Sequence, residues 1–225
     1  MIFGDHVRSP DTVASAGWIA AACRGVWWTV GALVPNQYPS VLRVRAPSPR
    51  PDGWWTAYRH LYEIVASIGE RHTCSPDRAW FAVWEGHGFD TATTHVAWRD
   101  PPLDEETRRA REAERSRVRE EGERRNAAIR AALVQVPRFD LPNRTYYLLE
   151  GPVSAATQLS HPEPMGEWRN PDLFWPDDRR WFVATDIDFW SLYIGGDDDF
   201  VAELARSVPT RTEIVTLDRQ LEIED

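Results

Sequence analysis

The sequence predicts an α+β fold: a mostly antiparallel or mixed sheet with helices packed mainly on one side, plus a projecting charged helix at about 104–133. Three observations carry this reading. Segments of strand composition alternate with too few helical ones for a doubly wound sheet. Three of those segments, DRAWFAVWEG (77–86), TYYLLEG (145–151) and DRRWFVATD (178–186), share one outline, sending aromatic then aliphatic residues into an acidic loop. From Asp104 to Arg130 the composition shifts to eight acidic and nine basic side chains, which sets that stretch apart from any core. At 225 residues the expected organisation is one domain, 1–225, carrying a charged helical insertion at 104–133.

Asp11 precedes TVASAGWIAAACRG, where Val13, Trp18, Ile19, Ala22 and Cys23 recur at helical spacing and Gly25 stops the run, so a core helix is expected. VWWTVGALVP (26–35) is β-branched and aromatic and closes on Pro35, the composition of a buried strand. In SVLRVRAP (40–47), Val41, Arg43 and Arg45 alternate with Leu42 and Val44, the pattern of a strand with one wet face. APSPRPDG (46–53) is a proline-rich loop. Beyond it Trp54, Tyr58, Leu61, Tyr62, Val65 and Ile68 recur at spacings of three and four, an amphipathic helix. RAWFAVWEGHG (78–88) has the composition of a central strand.

Within 104–130, Glu105/Arg109, Arg117/Glu121, Glu120/Arg124 and Glu121/Arg125 stand four apart, so the run supports itself as a solvated helix whose last turns, AAIRAALV, dock on the body. It lacks a sustained hydrophobic heptad, which argues against a coiled coil. Its nearly balanced charge makes a poor RNA-binding arm. RTYYLLEGP (144–152) is a strand, followed by a short helix near 153–159 and the loop HPEPMGEWRNPD. The last block supplies the strand RRWFVATDID, an extended piece around WSLYIGG, a helix opening at DDDFVAELARS, and a final strand near TEIVTL.

Composition excludes several chemistries. All 26 basic residues are arginine, so a lysine Schiff base, a pyridoxal phosphate anchor and a Walker A lysine are all absent. Residues 171–225 hold 14 Asp/Glu against 5 Arg, so the whole net charge of −9 sits in the C-terminal quarter. Such a face repels phosphate backbones, and no nucleic-acid partner is expected. Cys23 and Cys74 form no zinc spacing and no disulfide framework, so a reducing cytoplasm is the expected location. The apolar stretch 14–35 is broken by Arg24 and Gly25, so no membrane partner is expected either.

The blocks GALVPNQYPSVLRVRAP, HTCSPDRAWFAVWEGHG, LPNRTYYLLEGP and, above all, NPDLFWPDDRRWFVATDIDFWSLYIGG resemble an uncharacterised actinobacterial protein family in which such blocks follow in the same order. The resemblance covers most of the chain outside 104–130 and implies no activity. The family pattern has glutamate where Asp186 stands, aspartate where Trp190 stands, and a histidine near Arg43 to Pro47. A glutamate, aspartate and histidine constellation, were it the family's chemistry, would be incomplete in this chain.

Four groups of residues invite a functional reading. Asp186 and Asp188 lie two apart, so in an extended strand both face one way, about 7 Å apart, where they can hold a divalent cation. The structural alternative pairs them with Arg78, Arg179 or Arg180, and it is the commoner use of paired carboxylates. Glu85 and His87 follow a strand in a glycine turn and, with His72, Cys74 and Glu150, can form a site of the acyl-transfer kind, although no GxSxG or HExxH motif supports it. Asp197, Asp198 and Asp199 suit the capped start of a helix. Their charge repels the phosphate that Gly195 and Gly196 would otherwise cradle. Trp175 and Trp190 are read as an aromatic rim beside them.

The function expected from all this is a cytoplasmic, non-enzymatic protein-interaction module, immunity-like or accessory, with Trp175, Trp190, Asp197, Asp198 and Asp199 facing a protein partner and no cofactor required. The alternative is a small-ligand or divalent-cation-dependent enzyme that uses Glu85, His87, Glu150, Asp186 and Asp188 in a tryptophan-lined pocket.

Overall fold

Antiparallel pairing organises the chain. The computed structural model describes residues 4, 6–26, 28–45, 54–87, 104–142, 144–159, 170–186, 191–208 and 211–221. The chain divides into two compact units, residues 1–85 with 136–225, and residues 86–135. In the first unit, eight strands among the described residues form one sheet: β1 (Ser40–Arg45), β2 (Ala79–Trp84), β3 (Arg138–Leu141), β4 (Arg144–Gly151), β5 (Leu173–Pro176), β6 (Phe182–Ala184), β7 (Ser191–Gly196) and β8 (Thr212–Ile214). Their spatial order is β3-β4-β2-β5-β6-β7-β1-β8 and every pairing is antiparallel. This is the α+β class that the strand-rich sequence predicts.

Alternation along the strands sends two sets of side chains to opposite faces. One face presents Phe81, Phe174 and Val183 to α2 (Trp54–Arg71) and α4 (Asp198–Ser207). Trp181 joins them: its ring meets Phe174 edge-on at 4.8 Å and stacks on Phe200 of α4 at 5.7 Å. The Trp181 indole N–H donates to the Gly69 carbonyl of α2 at 3.0 Å. Tyr62 of α2 donates to the Pro171 carbonyl at 2.7 Å, and the Tyr58 and Thr185 hydroxyls lie 2.9 Å apart. Each large apolar side chain buried here contributes about 1.5–3 kcal/mol relative to exposure.

The other face presents Trp80, Ala82, Tyr146, Leu148, Leu173, Trp175, Phe182, Ala184 and Tyr193 to the N-terminal segment, whose Ile19, Val30 and Val34 are buried against them. The sequence predicts a core helix and a buried strand here, and both expectations are corrected. The segment folds as a 3-10 turn at Ala14–Ala16, a single helical turn α1 (Ile19–Ala22), and a second 3-10 turn at Val30–Ala32. Gly25 doubles the chain back on itself, its N–H donating to the Gly31 carbonyl at 2.8 Å. A Cβ on Gly25 would sit 2.2 Å from the Ala32 nitrogen. Trp28 takes a left-handed φ of 72°, which a continuous strand does not allow.

Two more differences come from tertiary position. Arg43 is 2% exposed rather than on a wet face, because it shares its side of β1 with Val41, which belongs to the core; its Nε donates to the Ser191 hydroxyl at 3.2 Å. β3 and β5 are strands that local composition does not announce, β5 because its four residues end in Pro176. In the second unit, α3 (Glu105–Leu133) is the charged helix expected at 104–133. Asp104 caps it, accepting from the Thr107 N–H at 2.8 Å, and Glu105 pairs with Arg108 at 2.9 Å and Arg109 at 3.2 Å.

Candidate functional site

Strand direction decides which acids share an end of the sheet. Glu85 follows β2 and Glu150 closes β4, and these two strands are antiparallel neighbours, so their C-terminal ends point in opposite directions. β6 runs parallel to β2 because β5 lies between them and opposes both, so Asp186 shares the end of Glu85. β7 opposes β6, so Asp197 shares the end of Glu150. Glu85, Glu150 and Asp186 therefore do not converge on one constellation.

Each of these carboxylates has its own arginine. Glu85 pairs with Arg138 at 2.8 Å. Glu150, 7% exposed, takes Arg8 at 2.8 Å and Arg78 at 3.3 Å, and Arg78 also lies over the Trp80 ring at 4.8 Å. Asp186 accepts from Arg144 at 2.6 Å, and the Arg144 guanidinium stacks on Trp84 at 4.2 Å. Arginine pairing of Asp186 is the kind of role the sequence suggests, with Arg144 as the partner rather than Arg78, Arg179 or Arg180. Asp188, Trp190 and the side chain of His87 lie outside the described residues. Among the described residues no three His, Cys, Asp or Glu side chains gather as metal ligands would.

The remaining expected residues are dispersed. His72 binds Glu203 through Nε2 at 2.8 Å, and Arg71 bonds the other oxygen of the same carboxylate. These two hydrogen bonds, His72 first, hold the Glu203 carboxyl down at about 2. The Cys74 N–H donates to Asp178 at 2.6 Å. Trp175 is 1% exposed and stacks on Phe182 at 5.7 Å. It belongs to the core rather than to a partner-facing rim, because central β5 turns that side chain toward the N-terminal segment. Asp197 caps α4 by accepting from the Phe200 N–H at 2.9 Å, and Asp198 accepts from the Ser40 hydroxyl. All three of Asp197, Asp198 and Asp199 are exposed, and no arginine pairs with them among the described residues.

At the Glu85 and Asp186 end, a cavity of about 130 Å³ opens between the sheet and the N-terminal segment. Cys23, Ala32 and Leu33 form one wall; Leu141, Arg144, Tyr146, Leu173 and Asp186 form the other. Burial pushes the Cys23 thiol up to about 12 and raises the Tyr146 phenol well above its ordinary range, with the nearby Asp172 charge adding to the latter. Both therefore stay protonated at neutral pH, as hydrogen-bonding groups rather than nucleophiles. Arg144 and Tyr146 were legible as one strand face, being two apart in RTYYLLEG. Nothing local marks Asp186 as their neighbour, since it arrives from 42 residues away. No helix among the described residues is long and apolar enough to cross a membrane. Compared with family models, curated proteins and solved structures, the chain matches none.

Proposed function

We propose that the chain is a cytoplasmic, non-enzymatic interaction module, of the immunity or accessory kind, that binds a basic protein through the exposed aspartates at the start of α4. One observation carries the reading. Arginines neutralise Glu85, Glu150 and Asp186, the described acids named as candidates for chemistry, while Asp197, Asp198 and Asp199 are exposed and have no arginine partner among the described residues. Charge left unpaired at a surface steers an oppositely charged partner and costs nothing in desolvation before contact. A surface without lysine also avoids the flexible cations that would screen it.

Affinity capture from host lysate with the Asp198→Asn/Asp199→Asn double variant tests this. Asp197 is left intact to keep the cap. The wild type is expected to retain a basic protein at low salt, and the double variant to lose most of it. Retention that ignores both the substitution and added salt defeats the reading, as does no retention at all.

A further inference from the structure

We infer that the cavity beside Tyr146 is a binding site for a neutral small molecule of about the size of benzene that carries one hydrogen-bonding oxygen. The inference is independent of the partner surface on α4. Volume sets the size: about 130 Å³ compares with the roughly 150 Å³ of an apolar protein cavity known to take benzene. The walls set the polarity, since Cys23, Ala32, Leu33, Leu141 and Leu173 offer a ring little but apolar surface.

Tyr146 sets the single polar contact. It is 4% exposed and lines the cavity, and its hydroxyl makes no hydrogen bond among the described residues. That hydroxyl is accessible from the cavity and can exchange one hydrogen bond with an oxygen of the occupant. The Arg144–Asp186 pair sets the charge. The two groups, with side chains 14% and 6% exposed, already cancel at 2.6 Å. An anion entering here meets Asp186, and a cation meets Arg144, each with its water removed. Cys23, protonated at neutral pH, forms no covalent bond to the occupant. Binding is reversible.

Ligand-observed NMR with the full chain and four probes tests the site: phenol, cyclohexanone, benzene and benzoate. Phenol and cyclohexanone are expected to bind and to raise the melting temperature, and benzoate, a charged ring of similar width, is not. Tyr146→Phe should weaken phenol about five- to tenfold, the loss of one hydrogen bond, and leave benzene unchanged. Ala32→Leu fills the space and should abolish binding of every probe without lowering the apo melting temperature. Benzoate binding as tightly as phenol would overturn the inference. So would undiminished phenol binding in folded Ala32→Leu, or no binding of any probe to the wild type.

Discussion

Arg144 reaches Asp186 at 2.6 Å although β4 and β6 are not neighbours: β2 and β5 lie between them, and the guanidinium crosses the gap over the ring of Trp84. The pair ties the far strands of the sheet together at one end and forms a wall of the cavity.

Breaking that pair on one side removes the opposite charge from beside a largely buried one. Asp186→Ala is therefore expected to cost about 3–5 kcal/mol in urea unfolding, and Arg144→Met/Asp186→Leu distinctly less, because the double variant removes both charges together. Equal losses in the two variants would show that shape at this place matters and charge does not.

Acid should reveal the Glu203 contacts. His72 and Arg71 hold its carboxyl at about 2 in the folded chain against an ordinary 4.5. Between those values the unfolded chain binds the extra proton, so stability is fully present above 4.5 and is lost as pH falls toward 2. Glu203→Gln has no such proton to bind, and its unfolding free energy should fall less steeply across that window.

Gly69 sits in the interior of α2, where alanine ordinarily stabilises a helix by up to about 1 kcal/mol. Here a Cβ would lie 2.5 Å from the ring of fully buried Trp181. Overpacking of this kind costs about 1–3 kcal/mol, so Gly69→Ala is expected to lower the melting temperature.

Asp197 and Asp198 stand next to each other but do different work. Asp197→Ala removes the cap on α4 and should cost about 1 kcal/mol, while Asp197→Asn keeps an accepting oxygen and should be nearly neutral. Circular dichroism melts of the two variants separate the cap from the charge.

The sequence by itself determined the helices α2, α3 and α4, because their periodicity, charge spacing and caps act within one or two turns, and it determined the strand character of β2, β4 and β7, whose runs of aromatic and aliphatic residues suit a sheet buried on both faces. It did not determine β5, too short to announce itself, nor the fold-back at Gly25, where backbone hydrogen bonds outweighed the strand composition of 26–35. Which acids would meet was settled only in three dimensions. Successive antiparallel strands point their C-terminal ends in opposite directions, so segments with the same outline carry Glu85 and Glu150 to opposite ends of the sheet. The same strand order brings Arg144 to Asp186, a contact between residues 42 apart that no local pattern encodes.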